Sequence, residues 1–138
     1  FDIDKMIENQ VGMKIYKIFE KKGEEYFREI EEKLTLKVLD KKKKVISLGG
    51  GAFLNKNIRE EILLNHLSFW LKWDPEIIIK RIKNSSKRPI AFYSSKNELI
   101  NIIKKRSKIY SKAMYNINCN NLTKTEIIKQ VINIYETH

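Results

Sequence analysis

Three consecutive glycines directly after a short, mostly apolar run constrain this chain more than any other feature. Residues 45–48 are largely β-branched or aliphatic, which is typical of a buried strand, although a buried helix segment can look similar. Gly49, Gly50 and Gly51 follow at once. Each would cost about 1 kcal/mol inside a helix, so they indicate a loop. Such a loop lets a ligand approach the backbone and offers N–H groups to anions; a plain strand-to-helix turn is the alternative.

Short β-rich runs alternate with helical spacing of apolar residues along the chain. The predicted strands are 45–48, 67–73 and 115–120, and Asp2-Ile3-Asp4 would follow a fourth if Phe1 ends a strand. The predicted helices are 5–22 (interrupted at Gly12), 24–39, 57–64, 75–83, 95–114 and 123–135. Strands separated by helices predict an α/β fold with a parallel sheet. Ligands in such sheets bind at the carboxyl ends of the strands, where the glycine run lies.

The charge balance is basic, with 28 Lys and Arg against 17 Asp and Glu, for a net charge of +11. A nucleic-acid interface needs this charge clustered on one face, but the lysines are spread along the chain. Anionic small substrates account for the excess equally well. No apolar run approaches the roughly 18 residues of a membrane span. The single cysteine, Cys119, suits a reducing compartment, so we expect a cytoplasmic protein without nucleic-acid or membrane partners.

Two arginines are candidates for binding an anion. Arg106 lies in line with an apolar stripe at spacings of three and four, so its guanidinium must either extend to solvent or meet an anion. Arg28 has Glu24 four residues before it and Glu32 four residues after it. Surface ion pairs on a helix explain Arg28 adequately, and a ligand role stays open because its neighbour Phe27 faces inward.

Two aspartates and a third arginine are candidates for the chemistry of phosphate. Asp2 and Asp4 would point the same way in an extended segment and could face a magnesium ion, or Asp4 could simply cap the following helix. Arg88 lies in a polar stretch, residues 84–96, that we predict to be a lid loop. A cation on such a lid could contact phosphates during transfer, and an idle exposed arginine is the alternative.

Taken in order, these motifs resemble shikimate kinase. They are Asp-x-Asp-x-x-Ile-Glu from Asp2, Ile18-Phe19, Gly-Glu-x-x-Phe-Arg-x-x-Glu from Gly23, Leu-Gly-Gly-Gly-Ala from Leu48, Arg88-Pro89, and Arg106 with Tyr110. The resemblance covers residues 1 to about 115. It implies a three-layer αβα P-loop kinase fold with a five-stranded parallel sheet, present as a single domain over 1–138. It also implies ATP-dependent phosphorylation of the 3-hydroxyl of shikimate, with ATP and Mg²⁺ required and a monomer expected.

The resemblance further implies roles for individual residues. Asp2 would lie at the magnesium site, and Asp4 would bind shikimate hydroxyls and act as the base. Arg28 and Arg106 would hold the shikimate carboxylate. The remaining implied contacts are the backbone of Gly49, Gly50 and Gly51 with shikimate, Arg88 with the phosphates, and Arg81 beside adenine.

Two departures from the family pattern keep other readings open. The phosphate-binding P-loop and its strand should precede Phe1, and we expect roughly 30 upstream residues in the complete protein. Residues 119–125 lack the Arg and Pro that the family often places against adenine. The alternatives are a related small-molecule kinase such as a gluconate kinase, a non-catalytic shikimate-kinase-like binding protein and, more distantly, a nucleic-acid-binding module.

Overall fold

A computed structural model describes residues 1–42, 44–83 and 95–138. Its helices are α1 (Ile3–Val11), α2 (Ile15–Leu39), α3 (Lys56–Asn65), α4 (Pro75–Lys83), α5 (Lys96–Tyr110) and α6 (Lys124–Thr137). Its strands are β1 (Phe69–Lys72) and β2 (Tyr115–Asn118), and a 3₁₀ turn spans Ala52–Leu54. The described residues form two compact units, residues 1–66 and residues 67–83 with 95–138.

The first unit is built on α1 and α2. Helix α1 ends at Gly12, which has a positive φ of 70° that favours glycine. Helix α2 begins with help from Glu8, whose carboxylate accepts a hydrogen bond from the Ile15 backbone N–H at 3.1 Å. Gly23 interrupts α2 with φ 85° and ψ 167°, at the point where the sequence predicted a break. The core between the helices consists of Ile3, Ile7, Ile18, Phe27, Leu34 and Val38.

The prediction of a strand over 45–48 is wrong, because the structure has no strand there. The segment has one parallel bridge, from Ser47 to Asp2, in which Ile3 N–H donates to the Ser47 carbonyl at 3.2 Å and Ser47 N–H to the Phe1 carbonyl at 2.7 Å. The Phe1 amino group also donates to the Val45 carbonyl at 2.6 Å. Helix α1 begins at Ile3, so the backbone leaves its extended course directly after the bridge. The bridge nevertheless brings the start of α1 beside the segment that leads into the glycine run.

The second unit contains the two strands, paired in parallel with Phe69 opposite Tyr115 and Lys72 opposite Asn118. Helix α4 spans the predicted residues, starting at Pro75, where a missing N–H costs nothing. Both predicted capping boxes are confirmed, Ser95 with Glu98 at α5 and Thr123 with Glu126 at α6. Helix α5 ends at Tyr110 rather than Met114. The buried residues of this unit's core include Ile117, Cys119 and Ile127.

Parallel pairing with intervening helices agrees with the predicted α/β class. Among the described residues, no helix is both long and apolar enough to cross a membrane. The predicted lid, 84–96, lies outside the described residues apart from Ser95 and Lys96, which begin α5, and Arg88 lies outside them as well.

Candidate substrate-binding site

The glycine run of the first unit packs directly against charged side chains. A β-carbon placed on Gly49 would lie 2.8 Å from Oδ1 of Asp4 and 3.4 Å from Oε1 of Glu31. A β-carbon placed on Gly51 would lie 2.6 Å from Cζ of Arg28. Neither glycine has a positive φ, so close approach, not backbone conformation, is what requires glycine at these positions.

Arg28 is held from two sides by carboxylates of its own helix. Its Nη1 donates to Oε2 of Glu31 at 2.6 Å, and its Nε and Nη2 donate to Oε1 of Glu24 at 3.3 and 3.1 Å. Burial lowers the pKa of Arg28, but the pairs with Glu31 and Glu24 outweigh it and the net shift is upward. The suggested pairing of Arg28 with Glu32 is wrong, because Glu32 instead accepts hydrogen bonds from Asn55 and Asn57.

Glu31 is the most buried charged residue of this cluster, with 2% of its surface exposed. Burial raises the pKa of Glu31, the Arg28 guanidinium opposes that rise, and the nearby Asp4 carboxylate adds to it. A buried carboxylate is tolerated when it is paired, and here the pair fixes the guanidinium against Gly51. Glu31 therefore orients Arg28.

The two aspartates do not share an extended segment as the sequence predicted. Asp2 is the N-cap of α1, its Oδ1 accepting from Lys5 N–H at 3.2 Å, whereas Asp4 lies within the first helical turn. The alternative in which Asp4 caps the helix is therefore also wrong. The turn places Asp4 against Gly49, and Asp4, Glu31, Arg28, Gly49 and Gly51 together form one wall, called here the glycine-loop wall.

This wall belongs to a chain that matches known proteins along nearly its whole length. The family model of shikimate kinase matches residues 1–136. The chain belongs to the shikimate kinase family.

Shikimate kinases from two bacteria illustrate the similarity. That of Thermodesulfovibrio yellowstonii is 34% identical over 136 residues, covering 98% of this chain and 79% of the relative. That of Caldanaerobacter subterraneus is 34% identical over 135 residues, covering 97% and 79%. This chain is thus similar to about four fifths of each relative's length.

Solved shikimate kinases share the fold. The Aquifex aeolicus structure is 30% identical, with a TM-score of 0.86 over 98% of this chain and 79% of that one. The Acinetobacter baumannii structure, solved in complex with shikimate, is 26% identical, with a TM-score of 0.89 over 99% and 77%. The predicted three-layer α/β kinase fold is confirmed, as is the predicted function, phosphorylation of shikimate with ATP.

Two further predicted site residues, Arg106 and Arg81, lie in the second unit. Arg106 is half-buried on α5, in agreement with its place on an apolar stripe. Arg81 is exposed on α4 and stacks on Trp73, with its guanidinium carbon 3.8 Å from the ring centroid. Each is described within its own unit, and their roles stay predictions.

Glu31 is the residue whose importance the sequence analysis missed. It stands in the family motif that begins at Gly23, but no role was assigned to it. A glutamate three residues after Arg28 was a usable signal, since side chains at that spacing meet on a helix. What the sequence could not show is its burial beneath the glycine run.

Proposed function

We propose that the glycine-loop wall binds shikimate in this shikimate kinase. The observation that carries the proposal is the state of Arg28: its hydrogen bonds to Glu24 and Glu31 use Nε–H and one N–H of each terminal nitrogen. Each terminal nitrogen carries a second N–H, so Arg28 keeps donors for a further anion such as a carboxylate. Arg28 and Arg106 are the proposed ligands of the shikimate carboxylate.

Asp4 is the proposed partner of the shikimate hydroxyls and the base for the attacking 3-hydroxyl. Its Oδ1 would lie 2.8 Å from a β-carbon at Gly49, so the hydroxylated ring of shikimate is proposed to contact both Asp4 and the backbone of Gly49–Gly51. In this role Asp4 accepts the hydroxyl proton as the oxygen bonds to the γ-phosphorus, while the bond from that phosphorus to the bridging oxygen breaks and ADP leaves. Positioning and charge stabilisation account for most of the rate in such transfers.

Three residues are proposed to serve the nucleotide. Asp2, a carboxylate with 43% of its side chain exposed, fits a magnesium site in which one carboxylate and substrate phosphates share the ion. Mg²⁺ would there neutralise developing phosphate charge. Arg81, whose planar guanidinium already stacks on Trp73, suits contact with adenine. Arg88 is proposed to reach the phosphates from the lid, 84–96.

The proposal extends to the setting in which the protein works. We propose a single domain over 1–138, acting as a monomer in the cytoplasm without nucleic-acid or membrane partners. The dispersed charge speaks against a nucleic-acid interface, and the free thiol of Cys119 suits a reducing compartment. A salt-dependent association with duplex DNA would argue against this part of the proposal.

Steady-state kinetics of substitution variants test the assigned roles in the full-length protein. Arg28→Ala and Arg106→Ala should each raise the shikimate KM by at least about tenfold, since each removes a charge-assisted contact. Arg88→Ala should mainly lower kcat, because charge on the lid serves the transition state. Glu29→Ala, an exposed change on α2, is the control and should match the wild type. Unchanged shikimate KM in both KM variants would overturn the proposed binding site.

A further inference from the structure

The glycine run is followed by a segment that is anchored by long side chains on both sides. The 3₁₀ turn leaves carbonyl groups at its end, and Arg59 of α3 donates from Nη1 to the carbonyls of Phe53 and Leu54 at 3.1 and 2.9 Å. The next residue, Asn55, caps α3 by accepting from Ile58 N–H at 3.2 Å. The segment therefore cannot shift without breaking bonds to α3.

Glu32 of α2 ties the same segment to the helix that carries Arg28. Its Oε2 accepts from Nδ2 of Asn55 at 2.8 Å, and its Oε1 accepts from Nδ2 of Asn57 at 2.6 Å. Each carboxylate oxygen thus holds one amide, and these bonds, that of Asn57 first and that of Asn55 second, lower the pKa of Glu32. We call Glu32, Asn55 and Asn57 with these two hydrogen bonds the clamp. Asn55 lies 23 positions and Asn57 lies 25 positions after Glu32 in the sequence.

Neighbouring residues of α2 therefore hold both sides of the glycine-loop wall. Glu31 holds Arg28, and Glu32 holds Asn55 and Asn57, which follow the 3₁₀ turn that comes after Gly51. Because Arg28 and Gly51 approach so closely, a small displacement of the run relative to α2 changes the gap between guanidinium and backbone. Misplacement by about 1 Å can cost an enzyme a large factor in rate.

We propose that Glu32 is a positioning residue for shikimate, acting through Asn55 and Asn57 to set the glycine run against Arg28. This inference rests on the proposed shikimate site at the glycine-loop wall. Glu32 itself touches neither Arg28 nor the glycines through any described hydrogen bond. Its effect should therefore fall on shikimate binding and not on ATP binding.

Kinetics of Glu32→Ala and Glu32→Gln in the full-length protein test the clamp. We expect Glu32→Ala to raise the shikimate KM about tenfold with the ATP KM unchanged. Glu32→Gln keeps one carbonyl acceptor, so it should hold one of the two asparagines and give a smaller increase. Adding Asn57→Ala to Glu32→Ala should cause little further change, because that bond is already gone. Glu29→Ala on the preceding turn is the matched control.

Hydrogen–deuterium exchange supplies a readout that does not depend on activity. Glu32→Ala should speed exchange of the amides in 49–57 while leaving those of α1 as in the wild type. A lower melting temperature with unchanged shikimate KM would mean that Glu32 only stabilises the fold, which overturns the inference. If Arg28→Ala keeps the wild-type shikimate KM, the proposed binding wall fails instead. Unchanged exchange in 49–57 would refute the role of Glu32 on its own.

Discussion

Gly51 lies so close to the guanidinium of Arg28 that a side chain at this position would have to displace it. A β-carbon at Gly51 would stand 2.6 Å from Cζ and 2.7 Å from Nη2, well inside van der Waals contact. Arg28 cannot easily retreat, because Glu31, itself only 2% exposed, holds it at 2.6 Å. The relationship joins the glycine run and the motif around Arg28 into one binding wall.

Gly51→Ala should therefore damage shikimate binding more than folding. The added methyl group must push the guanidinium away, and we expect the shikimate KM to rise at least about tenfold, the loss of one charged contact. The measurement is steady-state kinetics at varied shikimate with saturating ATP. A variant with wild-type shikimate KM would show that Arg28 does not need its observed position.

Gly12→Ala should reduce stability and leave shikimate binding unchanged, the opposite of Gly51→Ala. Gly12 has φ 70° and no atom within 4 Å of a β-carbon, so the substitution meets strain but no clash. We expect it to lower the free energy of unfolding by about 1 kcal/mol, the cost of left-handed backbone in a non-glycine residue. Urea denaturation measures this loss, and the shikimate KM should not change. An altered KM would show that the end of α1 communicates with the site.

Glu31→Gln should separate charge from shape at the buried partner of Arg28. Glutamine fills the same space but gives up the ion pair, so the guanidinium loses its charged anchor against Gly51. We expect a raised shikimate KM, with a larger increase in Glu31→Ala, where packing is lost as well. Equal kinetics in wild type and Glu31→Gln would indicate that Glu24 alone orients Arg28.

The pH dependence of stability gives a second test of Glu31. Burial raises its pKa above the usual 4.5, with the Asp4 carboxylate adding to the rise and Arg28 opposing it. The folded state therefore keeps a proton that the unfolded state releases, so this residue's contribution to the free energy of unfolding falls as pH rises from about 4.5 through the raised value.

Denaturation of the wild type and Glu31→Gln from about pH 4 to about pH 8 measures that contribution. The free energy of unfolding of the wild type minus that of the variant should decrease as the pH rises. A difference that increases with pH would mean that Arg28 lowers the pKa of Glu31 and that the ion pair dominates over burial.

The parts of the fold set by local chemistry were predictable. Ser95 with Glu98 and Thr123 with Glu126 fix their helix starts through contacts three residues apart, and Pro75 starts α4 by its missing N–H. The segment 45–48 was not, because a strand needs a partner elsewhere in the chain. Among the described residues Asp2 bridges to Ser47, and α1 begins directly afterwards at Ile3, which no local pattern in 45–48 shows.

The site shows the same division. The glycine run, Asp4 and Arg28 could be named from motif order, and the structure brings them together. Which of Glu31 and Glu32 pairs with Arg28 could not be decided from the sequence, since both lie at spacings from Arg28 that allow a helical ion pair. Tertiary contacts decide between them: Glu31 faces Gly49 and Arg28, while Asn55 and Asn57 occupy Glu32.

Substrate choice by the wild-type, full-length protein tests the central claim most directly. ADP release would be followed with ATP and Mg²⁺, adding either shikimate or gluconate as acceptor. The wall of Asp4, Arg28 and glycine backbone predicts rapid release with shikimate and only background release with gluconate. Turnover with gluconate and none with shikimate would contradict the account.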